Sequence, residues 1–179
     1  MIRERKGSDM RRRPNWPGVG IALGLLIPAA IAHGAEESVP LDKIPKAVMD
    51  AVKARFKDAK ATAASTETEN GKQLYEVTIK PKGQNIDVTL TPEGDIVLIE
   101  KEIAASALPT AVAKTLEAKY PKATYKIVEE IIKVEKKEEK LAYYEVLLVT
   151  ADKKNLEVEV SAEGKIIKVE DKGAGKDDK

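Results

Sequence analysis

Residues able to carry chemistry are few in this 179-residue chain. It holds one histidine, His33, and no cysteine. Ser-His and Cys-His catalysis need an imidazole beside the nucleophile, and ordinary zinc sites need His or Cys donors. Without cysteine, no thiolate or disulfide framework exists. If processing made His33 the new N-terminus, its amine and imidazole could meet copper, but a histidine brace needs a second histidine. Carboxylates remain for acid–base work. The adjacent pairs Glu129-Glu130 and Glu138-Glu139 lie in strand-like segments, where neighbours point to opposite faces and do not converge. They read as solvated charge. No glycine-rich phosphate cradle and no calcium-loop spacing occurs. The inventory predicts a protein that is not an enzyme, with no metal site and no cofactor.

One group of side chains is better suited to contact than to catalysis. In a strand over residues 140–151, alternation places Tyr144, Val146 and Leu148 on one face and Tyr143, Leu147 and Val149 on the other. The matching positions upstream, Leu74, Thr78 and Lys80, are more polar. Ile131 or Ile132 on the neighbouring strand widens the stripe. Exposed apolar patches mark contacts, and tyrosine is enriched at binding hot spots. Tyr143, Leu147, Val149 and Ile131 are therefore candidate partner-binding residues. The alternative occupants of the stripe are the other half of the chain and a second copy, as a homodimer.

The elements that position these residues occur twice. Ile44-Pro45 aligns with Leu108-Pro109 and Phe56 with Tyr120, at an offset of 64. Tyr75-Glu76-Val77 aligns with Tyr144-Glu145-Val146 at 69, and Glu93-Gly94 with Glu163-Gly164 at 70. The offset grows only in turns, where insertions are tolerated. Each copy opens with an amphipathic helix: Ile44, Val48 and Val52 in the first, Leu108, Val112 and Leu116 in the second. Pro45 and Pro109 fall in the first turn, with Asp42 and Ser106 placed to cap it. Four strands follow, about 61–69, 73–80, 84–91 and 95–102, then about 123–135, 140–151, 154–161 and 165–171. Asn70-Gly71 marks a tight hairpin, and Gly94 and Gly164 supply positive φ in the last one. The segment from Lys133 to Lys140 reads as a charged, protruding hairpin tip. The predicted fold is α+β: two tandem α-β-β-β-β units, each an antiparallel four-stranded sheet with one helix packed on one face.

The N-terminus is of another kind. Arg11, Arg12 and Arg13 precede an apolar run ending in Ala30-Ile31-Ala32. That run has the length of a signal-peptide core rather than of a membrane span. Residues 1–32 are expected to be a signal peptide, cleaved after Ala32 or Ala35, with Met10 as an alternative start. The chain has 31 Lys/Arg and 30 Asp/Glu, of which the leader holds six and two. The remainder carries 25 against 28, a net charge of −3. That balance offers no case for nucleic-acid binding. The expected layout is a leader over 1–32, repeats over 39–103 and 104–172, and a disordered tail over 173–179.

"IPKAVMDAVKARF" and "LPTAVAKTLEAKYPKA", each followed by a Tyr-Glu-Val strand and a Glu-Gly hairpin, resemble the PepSY-like, or β-lactamase-inhibitor-like, family. The resemblance runs from Val39 to Lys172. It departs at Lys57, where an aromatic-Pro helix stop is usual, and at Ala162, where an acidic turn residue is common. The resemblance implies a secreted or periplasmic, non-catalytic module that binds a protein in the cell envelope, with inhibition or regulation of a hydrolase or peptidase as its role. The alternative is a binder of a small ligand, lipid or cell-wall fragment in the cleft between repeats. No membrane span is expected once the leader is removed.

Overall fold

Ile44-Pro45 and Leu108-Pro109 each convert extended backbone into helix. Both prolines hold ψ near 140°, 139° for Pro45 and 143° for Pro109, so each is the last extended residue and not the first helical one. The computed structural model describes residues 37–173. In it α1 (Lys46–Arg55) and α2 (Thr110–Lys119) follow the prolines directly. This corrects the expected caps. Asp42 and Ser106 lie upstream in 3-10 turns (Leu41–Lys43 and Ala105–Ala107), and no side chain caps either helix. Proline at the boundary moves the helix start beyond their reach. The helices stop where expected: the Phe56 N–H donates to Val52 O and the Tyr120 N–H to Leu116 O, both at 2.8 Å. The predicted leader, its cleavage points and His33 lie outside the described residues, as does the tail beyond Gly173.

The strands are β1 (Glu37–Ser38), β2 (Ala61–Glu69), β3 (Lys72–Ile79), β4 (Ile86–Leu90), β5 (Ile96–Glu102), β6 (Thr124–Glu135), β7 (Glu138–Val149), β8 (Asn155–Val160) and β9 (Ile166–Asp171). They form one antiparallel sheet in sequence order. The α+β class is as expected, but the strands do not form two separate sheets of four. β5 pairs with β6 from Leu98–Lys133 to Glu102–Glu129, which makes the sheet continuous, and β1 adds a short strand beside β2.

Alternation builds two cores against this sheet. Val48 and Val52 of α1 pack on Val77, Ile79, Val88 and Leu90, while Val112 and Leu116 of α2 pack on Val146, Leu148, Val158 and Val160. β6 sends Ile132 and Val134 to the first core and Val128 to the second, all from one face. Both helices therefore cover the same side of the sheet, and among the described residues no helix lies on the other side.

The repeated Glu-Gly turn has a packing cause. Gly94 and Gly164 hold φ at +91° and +86°, and a Cβ would sit 2.7 Å from Ala47 O and 2.6 Å from Ala111 O. Each glycine lets the last hairpin touch the first turn of its helix. The Thr115 hydroxyl donates to Gly164 O at 2.8 Å and ties the second pair together.

The β6–β7 hairpin is not a free tip. Its turn residues Lys136 and Lys137 hold φ at 52° and 68°, the two left-handed positions of a two-residue hairpin. Ile132 and Val134 pack on the first core, and the Arg55 guanidinium forks onto Glu139, Nε–Oε1 2.8 Å and Nη2–Oε2 3.1 Å. The hairpin of the second repeat thus braces the helix of the first.

Candidate functional site

The helix-free face of the sheet is the surface on which the candidate contact residues lie. Tyr143, Leu147 and Val149 alternate with the buried Tyr144, Val146 and Leu148, so they point away from α2. All three are half-buried. Ile131 stands directly across from Tyr143 and is fully buried without belonging to either helix-covered core. It supports the tyrosine and offers no surface of its own. Leu74, Leu98 and Thr89, on the same side nearer the first repeat, are also buried. Among the described residues no helix covers this face, and its side chains bury one another across the strands. The cleft at its first half, 170 Å³, is lined by Glu67, Leu74, Thr89, Leu98 and Lys133 among others.

The sequence reading missed the carboxylates on this face. Glu145 sits between Tyr143 and Leu147 in the same alternation, and was legible there. Its neighbours were not. Register aligns Glu102, Glu129, Glu145 and Glu159 in one row across β5, β6, β7 and β8, ending on Lys168 of β9. A second row reads Thr78, Asp87, Glu100, Ile131 and Tyr143. Residues directly opposite lie about 5 Å apart at Cβ, and like charges there are destabilising. The adjacent pair splits between the two faces as expected, Glu130 pointing to the helix side and meeting Lys101 at 3.1 Å, but it is not simply solvated charge, because Glu129 is part-buried in this row.

Crowding and burial shift these groups together. Glu100 is pushed up to about 9, first by burial and then by the charges of Glu129, Glu76, Glu145 and Asp87. Glu145 rises to about 8, by burial and by Glu157, Glu129 and Glu159, with Lys172 opposing. Glu129 rises to about 7, by burial and by Asp87, Glu102 and Glu157. The Tyr143 hydroxyl is pushed up by burial and by the surrounding glutamates, so it stays a neutral donor. Chemically the face offers a tyrosine and leucine patch set among carboxyls whose proton affinity is raised by burial and by one another's charge. Among the described residues no group of three or more His, Asp or Glu is arranged to hold a metal ion.

An open antiparallel sheet with both helices on one face, built from a duplicated helix-and-hairpins unit, defines the class. The family model described as "Putative beta-lactamase-inhibitor-like, PepSY-like" matches residues 32–98 and again 83–168. The chain belongs to this family, as a tandem repeat. No curated protein matches it. Solved structures share the fold. A DUF2874 family protein from Bacteroides uniformis is 16% identical, with 71% of this chain and 88% of that chain covered at a TM-score of 0.58. A BLIP-like protein from Bacteroides fragilis is 20% identical, with 78% and 92% covered at 0.55. A protein from Bacteroides eggerthii described as "putative periplasmic" is 14% identical, with 74% and 92% covered at 0.57. Among the described residues no helix is long and apolar enough to cross a membrane.

Proposed function

We propose that the chain is an exported, non-catalytic protein-interaction module that binds a protein of the cell envelope through the helix-free face, with an envelope hydrolase or peptidase as the partner class. The observation that supports this reading is the placement of Tyr143 and Leu147 on the face away from both helices, which no helix among the described residues covers. Tyrosine contributes a large area at low entropic cost and is enriched at hot spots. Ile131 stands directly across from Tyr143 in the ladder, and the surrounding glutamates give the site a polar rim. The β-lactamase-inhibitor-like family and the periplasmic description of one structural neighbour support the class and the location.

The test is capture from an envelope extract. Wild-type protein should retain a partner that Tyr143→Ala and Leu147→Ala lose, while Lys114→Ala on the exposed side of α2 keeps it. Equal retention by all three variants would reject the face as the site. Ligand binding is the second reading, and the cleft that favours it lies on the first repeat's half of the face, lined by Leu74, Thr89 and Leu98 with Lys133 of β6, rather than between two separate units. At 170 Å³ the cleft is smaller than sites for drug-sized ligands, which run from about 300 Å³. A thermal-shift gain with envelope lipids or glycan fragments, lost in Leu98→Lys, would favour that reading.

A further inference from the structure

β9 ends the sheet, and among the described residues no strand pairs with its outer edge. The same edge occurs in the first repeat as β5, and there it is covered. Leu98, Ile99, Glu100, Lys101 and Glu102 correspond to Lys168, Val169, Glu170, Asp171 and Lys172 at the offset of 70. The Glu102 N–H donates inward to Asn85 O at 3.1 Å, and the Lys172 N–H donates inward to Asn155 O at 3.0 Å. The next amide in the first repeat, Ile103 N–H, donates outward to Val128 O at 2.8 Å. Because amides alternate in direction along an antiparallel strand, those of Ile99 and Lys101 face β6, and those of Val169 and Asp171 face away from β8. Burial follows the same division. Ile99, across from Ile132, is 3% exposed, whereas Val169 is 42% exposed and its neighbour Ile167 is 43% exposed. β9 thus displays the edge that this fold covers wherever it has a strand to do so.

We propose that β9 pairs antiparallel with β9 of a second copy about a two-fold axis at Val169. The register is self-complementary. Val169 meets its own copy as a reciprocally bonded pair, and Lys168 stands opposite Glu170 of the partner subunit, twice. Opposite charges in directly opposed positions favour the pairing. Head-to-tail growth, with β9 on β2 of the next molecule, would copy the β5–β6 join but would run on without closing. β1 blocks it by occupying the outer edge of β2 at Ser65 and Thr66. The two-fold arrangement closes and leaves the helix-free face uncovered, so it does not rest on the function proposed for that face.

Sedimentation velocity on the full chain tests this over about 1 to 100 µM, the range where a short strand-edge contact is populated. The wild type should dimerise. Lys168→Glu and Glu170→Lys each place like charges opposite one another twice, and each should weaken the dimer roughly tenfold. An equimolar mixture of these two variants restores opposite charges at both pairs and should form a heterodimer, which separates pairing from any loss of folding. Val169→Pro removes an outward N–H without touching the ladder to β8, and should be folded by circular dichroism and monomeric. A wild type monomeric at every concentration would overturn the proposal. A dimer indifferent to all three variants, or variants that fail to combine, would overturn it as well.

Discussion

At the residue scale the dominant feature is a cluster of carboxylates, from two neighbouring rows, that the fold holds close together at a cost. Glu100, Glu129 and Glu145 have folded-state pKa values of about 9, 7 and 8 against an ordinary value near 4.5. A carboxyl raised on folding binds its proton more tightly in the native state than in the unfolded chain. Its contribution is fully present below the unfolded pKa and is lost as pH rises through the folded one. The melting temperature should therefore fall between pH 5 and pH 9, by several degrees in total. The triple variant Glu100→Gln, Glu129→Gln and Glu145→Gln should flatten that fall and be the more stable form at pH 9. A melting temperature that rises over this range would contradict the assignment of the cluster. Glu139 shows the opposite case. Its side chain is lowered by the hydrogen bond from Arg55, and being near the surface it contributes little.

The elements owe their stability to a few apolar positions and two glycines. Leu116 is fully buried at the centre of the second core, and Leu116→Ala should cost about 3 kcal/mol in chemical denaturation. Gly164→Ala should cost about 2 kcal/mol or more, because it places a Cβ against Ala111 O at a backbone angle that favours glycine. The β6–β7 turn offers a gain. Lys136 and Lys137 both occupy left-handed backbone, and replacing them with Asn-Gly should stabilise the fold by about 1 kcal/mol, measured as a shift of the urea midpoint. No shift would mean that the turn carries no strain. How far these elements were legible follows from their local causes. The strand ends fall within two residues of those predicted, because alternation and turn chemistry act over short distances. The helix caps were misplaced, because the proline that announces the helix also delays it.

For the whole molecule, the repeats are coupled through β6 and β7. The β5–β6 ladder, the docking of Ile132 and Val134 on the first core, and the Arg55–Glu139 pair all cross between them. Val52→Ala in the first core and Val146→Ala in the second should therefore lower one shared unfolding transition. Two separable transitions, each moved by one variant only, would show the cores to be independent. The ion pair itself is half-exposed, so a double-mutant cycle on Arg55 and Glu139 should give a coupling of only about 0.5 kcal/mol. The apolar packing beside it carries the rest of the connection.

The sequence by itself determined the duplication, the order and type of the two helices and of β2 to β9, and the face to which Tyr143, Leu147 and Val149 point. These depend on periods of two and 3.6 residues and on turn residues, all local properties of the chain. Tertiary structure alone decided that the sheets fuse through β5 and β6, that the charged hairpin grips the first helix, and that glutamates from four strands stand in a row. Each of these depends on register between strands. Register here is shifted by irregularities between Tyr125 and Ile127 and between Ile131 and Ile132, which no period within one strand records.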